Sequence, residues 1–311
     1  MKRKIIKLAE KTLVVSLPSS WTSACQIQKG DEVEVTINDA SLCIHPILKQ
    51  RFIKKITVDI STLSPRVLRW QVSSLHKQGY DEIELLHYSK EQEDILADLV
   101  QHLFVGFIVK EKSSIRLVVG QVAIVDSDQF AISLRQAWRQ LVSSSKDLSL
   151  AFSSKDPTLF KNILISEQDN NKLTNLCERL LNKSLTQKEK GHFWYVVAWN
   201  LEKIVDNFKY IASYFHEAII SISSQTQELL NDFSGFVQGY YDLFYNFSFE
   251  KLSLLSEQKI LLHKKALSLL ASQETTSPHE NILLHFIDCA ILQTADFSTS
   301  TIALMFSFKE K

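Results

Sequence analysis

The chain is predicted to be an α+β multidomain protein. It reads as a small β domain over 1–48, a βαβαββ module over 52–122 and an all-α helical bundle over 126–311. Three observations predict this. The front alternates apolar and polar residues with the two-residue period of strands. The middle switches between strand and helix patterns. From Asp126 onward the pattern is helical and almost free of glycine. At 311 residues the chain is long enough for two or three domains of the usual ~100–200 residues. Its 45 % hydrophobic content is ample for a sizeable core.

In the first segment Ile5-Leu8 and Leu13-Leu17 are strand-like. Pro18 stands where a helix can begin, because its missing N–H needs no partner there. Trp21 and Cys25 lie one turn apart on that short helix. Lys29-Gly30-Asp31 is a turn, Val33-Ile37 alternates, and Asn38-Asp39 turns into Leu42-Cys43-Ile44. About 45 residues cannot bury enough surface alone. Two copies exchanging hairpins would solve that problem.

The middle segment opens with a strand over Ile53-Ile60. Ser64-Pro65 starts a helix carrying Val67, Leu68, Val72 and Leu75, which stops at Gly79. Ile83-Leu86 is the next strand. Ser89-Lys90-Glu91-Gln92 is a capping box for a helix through Ile95, Leu96, Leu99 and Leu103. Phe107-Val109 and Ile115-Val119 close the module as a hairpin around Lys112-Ser113-Ser114. Helices are expected near 126–152, 157–182, 187–224, 226–246, 248–272 and 278–307. Asp156-Pro157, Gly191, Ser221–Ser224 and Thr275–Pro278 mark the breaks. These lengths also suggest two three-helix units, a weak internal repeat.

Charge divides the chain. Residues 1–57 hold ten Lys/Arg against five Asp/Glu, while 58–311 hold twenty-five against thirty. A basic front on an acidic body directs anion binding to the amino terminus, although lysines can also simply protect strand edges. No run approaches the ~18 apolar residues of a membrane span, and no signal core follows Met1-Lys2-Arg3-Lys4. A cytoplasmic protein without membrane insertion is expected. Cys25, Cys43, Cys177 and Cys289 share no metal-ligand spacing and read as reduced core thiols.

Three constellations could carry function. The first is Lys2, Arg3, Lys4, Lys7 and Lys11 against the single acid Glu10. A basic strand can lie on phosphates, and arginine can read a guanine edge. The second is Glu202 and Asp206, one helical turn apart beside the stripe of Leu201, Ile204, Val205, Phe208, Ala212 and Phe215. Such a pair binds a cation or is a solvated flank beside Lys203 and Lys209. The third is Glu167 and Asn171, which share a face with Phe160, Ile163, Leu164 and Leu181. Polar groups there need partners, either a cation shared with Glu202 and Asp206 or a salt bridge to a basic residue. The aromatic run Phe233, Phe236, Tyr240, Tyr241, Phe244, Tyr245, Phe247 and Phe249 is core at helical spacing, or a docking face. Catalysis finds little support, with no Gly-rich phosphate loop, no Gly-x-Ser-x-Gly and no His-x-x-x-His pair. His192, His216 and His263 read as surface or boundary residues.

The run Arg3-Lys4 … Leu13-Val14-Val15-Ser16-Leu17-Pro18-Ser19-Ser20-Trp21 … Lys29-Gly30-Asp31-Glu32-Val33-Glu34-Val35 resembles the SpoVT/AbrB-like swapped-hairpin domain. This version is similar to the one that opens archaeal PhoU-family phosphate-uptake regulators. The resemblance implies a homodimer of interlocked hairpins, open to higher oligomers. It would bind double-stranded DNA through Lys2, Arg3, Lys4, Lys7 and Lys11. The sequence departs from that pattern at Ala9, where glycine is usual, and at Ser19-Ser20, where lysines are common. Glu167 … Arg179 and Asn200-Leu201-Glu202-Lys203 … Asp206 resemble the paired PhoU motifs, with Asn171 in one acid position and Lys203 where Arg is usual. That likeness implies a divalent or iron-type metal ion on a PhoU-like helical bundle, held by Glu167, Glu202 and Asp206. The expected function is a transcriptional or signalling regulator, not an enzyme, with a transporter or sensor kinase as partner. One rival is an adaptor that dimerises without binding DNA. Another is a metalloenzyme built on the carboxylates.

Overall fold

The computed structural model describes residues 1–8, 11–38, 41–47, 53–123, 125–126, 128–183, 190–217, 220–272 and 277–305. The chain divides into two compact units, Met1–Lys54 and Lys55–Lys311.

In the first unit β1 (Ile5–Leu8) pairs antiparallel with β2 (Thr12–Val15), Ile5 opposite Val15. Pro18, with its φ of −64° already suited to a helix start, precedes the six-residue α1 (Ser19–Ala24). Gly30 takes a φ of +95° in the turn before β3 (Val33–Asn38), a conformation that side-chain-bearing residues rarely adopt. β3 pairs antiparallel with β4 (Ser41–Pro46). The two hairpins form separate two-stranded sheets. No described residue of this unit is buried. Ile5, Leu13, Ile37 and Leu42 are all more than half exposed. A lone two-stranded hairpin is marginal in water, and the alternation legible in the sequence buries none of the described residues of this unit.

The second unit opens with the expected βαβαββ order: β5 (Lys55–Asp59), α2 (Pro65–Lys77), β6 (Glu82–Leu86), α3 (Lys90–His102), β7 (Phe107–Lys112) and β8 (Arg116–Gln121). The sheet runs β5-β6-β8-β7, with β5 and β6 parallel and the other pairs antiparallel. The parallel pair is bridged by α2, as a crossover requires. Ile83, Leu85, Leu117 and Val119 face Leu68, Val72, Leu75, Leu96 and Leu99 of the two helices. The opposite face is polar, and there Glu84 accepts from Thr57 and Arg116. The Ser89 capping box forms. Its Gln92 also donates to the carbonyls of Ile60 and Leu63, tying α3 to the loop before α2.

The remaining helices are α4 (Gln129–Ser154), α5 (Pro157–Lys183), α6 (Gly191–Phe215), α7 (Ser224–Tyr245), α8 (Phe249–Ala271), α9 (Pro278–Ala295) and α10 (Phe297–Met305). α4, α5 and α6 pack in succession, as do α7, α8 and α9, and the sets meet through α4 on α7 and α6 on α9. Two expected helices differ. The helix read as 187–224 ends at Phe215, because Ser223 caps α7 through the Thr226 amide, and the Glu280 carboxylate of α9 accepts from Ser223 N and Oγ. Positions 187–189 lie outside the described residues. The helix read as 278–307 breaks at Asp296. Phe297 turns inward onto Trp138, ring centroids 4.3 Å apart, and Ser298 bonds Tyr240. The thiols also differ from expectation: Cys177 is buried, whereas Cys25, Cys43 and Cys289 are only half-buried. The aromatic run is largely core. Phe233, Phe236, Tyr240 and Phe244 are buried, while Phe249 is half exposed.

Candidate functional sites on the basic strand and along the helix faces

Lys2, Arg3 and Lys4 precede β1, Lys7 lies on it, and Lys11 sits in the turn after it; all five are exposed. Lys2, Arg3 and Lys4 thus stand at the open end of the first hairpin, and Lys7 and Lys11 toward its turn, with Lys7 opposite Leu13. Ala9 and Glu10 lie outside the described residues. Ser19 and Ser20 occupy the first turn of α1.

In the second unit the three expected carboxylates do come into one line, but lysines link them. Lys209 Nζ on α6 stands 2.7 Å from Glu167 Oε1 on α5 and 2.6 Å from Asp206 Oδ1. Lys203 Nζ stands 2.9 Å from Asp206 Oδ2 and 3.0 Å from Glu202 Oε1. The line continues to α2, where Lys77 Nζ is 3.6 Å from Glu202 Oε2 and 2.5 Å from Glu178 Oε2. Asn171 donates to Glu167 at 2.7 Å. The acid-to-amide change in the first motif thus supplies a donor where a carboxylate would add repulsion. Ammonium groups fill the space a shared cation would need. Among the described residues no group of three or more His, Cys, Asp and Glu could hold a metal ion. The residues present therefore do not fit the expected ion, and the salt-bridge alternative is the geometry observed.

Burial sets the electrostatics of this line. It pushes the Asp206 carboxyl up, but hydrogen bonds from Lys209 and Lys203 outweigh it and hold the group below the usual carboxylate range. Lys203 and Lys209 are held above the ordinary lysine value, because their carboxylate partners overcome desolvation. Glu178 behaves oppositely. It is fully buried, with Lys77 Nζ 2.5 Å from its Oε2. Desolvation, only partly countered by Lys77 and reinforced by Glu202, lifts it to about 7.

Next to Glu178, Arg179 is the joint between module and bundle. Its guanidinium is buried and donates to the carbonyls of His76 (2.7 Å) and Tyr80 (2.8 Å), to Asp81 Oδ1 (2.9 Å) and to Gln121 Oε1 (3.1 Å). It also lies over the Phe107 ring, 4.8 Å from the centroid. The His76 carbonyl lies in the last turn of α2, where it also accepts from the Gly79 amide, and Tyr80 follows the helix. Lys183 adds an ion pair to Asp81. His76 itself is buried and stacked on Phe104 at 4.3 Å. Burial, then the charge of Arg179, holds it well below the ordinary histidine value. Motif reading singled out Arg179 but not its acceptors. The available signal was Gly79-Tyr80-Asp81, a helix stop followed at once by an acid that the fold buries.

Between α2, α3 and α5 lies an open cleft of about 410 Å³, lined by Arg69, Asp98, His102, Gln168 and Asn171 among others. Arg69 bonds Asp98 across it at 2.7 Å. His192 is exposed, and His216 and His263 are half-buried, as expected for boundary residues. His263 bonds Asp288 at 2.7 Å. No described helix is long and apolar enough to cross a membrane.

No family model matches the chain, and no curated protein matches it. Among solved structures it is similar to the crystal structure of the phosphate transport system regulatory protein PhoU from Streptococcus pneumoniae. The two are 13 % identical, the comparison covers 58 % of this chain and 94 % of that one, and the TM-score is 0.44.

Proposed function

We propose that this chain is a DNA-binding regulator whose amino-terminal unit completes its core by pairing with a second copy, and whose helical unit receives an effector or a partner protein. The observation that carries the reading is the first unit: two hairpins, no buried described residue, apolar strand residues in water and five exposed cations along one hairpin. Surface this apolar is rare on a module that stays alone. A two-fold pairing would cover it and double the basic surface offered to the phosphates of a duplex. The likeness to swapped-hairpin domains supports the same arrangement. The motif likeness in α5 and α6 supports a role in phosphate uptake, with a transporter or sensor kinase as the contacted protein. The cleft beside Arg69 is large enough for a small-molecule effector. An effector alters DNA occupancy only if it binds two states of the dimer unequally. Within the second unit Arg179 ties the module to the bundle.

The test combines mass and salt. Light scattering should give a dimer or a multiple of it. Fluorescence anisotropy on the protein's own promoter should give affinity well beyond the non-specific Kd of about 10⁻⁴–10⁻⁶ M, falling steeply with salt. Lys2→Ala, Arg3→Ala and Lys4→Ala should each flatten the log–log salt slope by about one unit. A strict monomer with weak binding and unchanged slopes would refute the reading. A dimer with only non-specific affinity would favour the adaptor instead.

A further inference from the structure

The outward face of α8 belongs to none of the sites above. α8 packs on α7 and α9. Its inward polar groups fasten it there, through Lys265 to Glu228 and Asp232 and through His263 to Asp288. Its outward face is unusually apolar. Leu254 is 61 % exposed, Leu261 67 %, Ile260 48 % and Leu267 46 %. At 3.6 residues per turn, residues seven apart sit nearly in line. Leu254 and Leu261 therefore form one row, and Ile260 and Leu267 a second. Glu257 and Lys264 stand between the rows, exposed and without an ion-pair partner among the described residues.

This pattern is its own complement. When a second α8 is laid antiparallel, with the two-fold axis between Ile260 and Leu261, Leu254 meets Leu267 of the other copy and Ile260 meets Leu261. Glu257 meets Lys264, twice, with opposite charges opposed each time. Ser253 meets Ser268, small residues that let the helices approach. An isologous contact requires this self-matching, in which residue i meets j and j meets i. A parallel pairing would instead set Glu257 on Glu257 and Lys264 on Lys264. We propose that α8 is a homotypic docking face that pairs antiparallel with α8 of a second copy of this chain. One helix pair buries less than the ~1,200 Å² of a standard interface. The contact is therefore weak alone and gains from any other association that raises local concentration.

Site-directed cross-linking of the full-length chain tests it. Leu261→Cys, close to the proposed axis, should give a disulfide-linked dimer under mild oxidation, above the background from the half-buried native thiols. Leu254→Cys alone should not, because its own copies would lie about 20 Å apart along the pair. Mixed with the Leu267→Cys chain it should cross-link. In the Leu261→Cys background, Glu257→Lys should lower the yield about fivefold, since two attractive pairs become repulsive. Adding Lys264→Glu should restore it. The altered residues are exposed, so unchanged thermal unfolding separates loss of pairing from loss of fold. Equal yields at 254 and 261, no yield above background at 261, or failure of the double charge swap to restore pairing would each overturn the proposal. Pairing through the first unit predicts none of this register dependence, so the two ideas fail separately.

Discussion

Replacing Arg179 by Met keeps the apolar stem and deletes the guanidinium. In the wild type that group supplies donors to two carbonyls at the end of α2, to Asp81 and to Gln121, all at the seam between module and bundle. Asp81 would keep Lys183. The His76 and Tyr80 carbonyls would lose their charged donor, although His76 keeps the Gly79 amide, at about 1–3 kcal/mol together. Breaking a buried ion pair from one side costs about 3–5 kcal/mol in comparable settings. Because Lys183 retains part of the Asp81 interaction, about 3–5 kcal/mol is expected in total. For a unit of this size that corresponds to roughly 6–20 °C in unfolding temperature. Calorimetry measures the shift, and amide exchange at residues 76–81 locates it. The double substitution with Asp81→Asn should be less damaging than the two single costs added, by about 1–3 kcal/mol. A loss below about 1 kcal/mol, or strict additivity with Asp81→Asn, would refute the view that Arg179 bolts the module to the bundle.

Glu178, lifted to about 7 by burial, favours the folded state when protonated. Its folded value lies above its unfolded one, so its contribution is full below the ordinary glutamate value of 4.5 and fades as pH rises through about 7. Glu178→Gln should remove a pH-dependent loss on the order of 3 kcal/mol between those limits, read from denaturant midpoints across pH. His76 acts in the opposite sense. Its value is depressed by burial and by Arg179, so its neutral packing is secure above 6.5 and stability falls as pH drops below that point. His76→Phe should flatten the acid side of the same curve. Lys209→Met leaves Glu167 and Asp206 without their shared ammonium and should cost about 1–3 kcal/mol in chemical denaturation. Gly79 has a φ of +83°, and a Cβ there would come within 2.7 Å of Lys183 Cγ. Gly79→Ala should therefore lose about 1–2 kcal/mol by thermal melt, the cost of a left-handed backbone for an L residue.

Local chemistry explains what was legible. The capping box at Ser89 and Gln92, the stop at Gly79, the order of strands and helices along the module and the starts of α5 and α9 at Pro157 and Pro278 all follow from a residue and its near neighbours. The same holds for the hairpins of the first unit and the exposed run of Lys2, Arg3, Lys4, Lys7 and Lys11 along the first of them. Where local signals ran out, distant ones took over. α6 ends at Phe215 and α7 starts anew at Ser224, where Glu280, far along the chain, captures the capping Ser223. α10 turns away at Asp296 because Trp138 and Tyr240 offer Phe297 and Ser298 a place.

The candidate carboxylates show the same division. That Glu167, Glu202 and Asp206 sit on helix faces beside apolar stripes is written in spacing, because a helix has one period. Whether a cation or a side chain neutralises them depends on which lysine can reach between two helices, which periodicity does not encode. The fold answers with Lys203 and Lys209, and with Lys77 arriving from the module. Arg179 is similar: a motif residue in the sequence, a buried joint in the structure. Backbone preference is set within a few residues, so the sequence alone determined the elements and the basic amino terminus. Charge pairing in a low-dielectric seam is set by residues a hundred positions apart, so only the tertiary structure decided what those charges do.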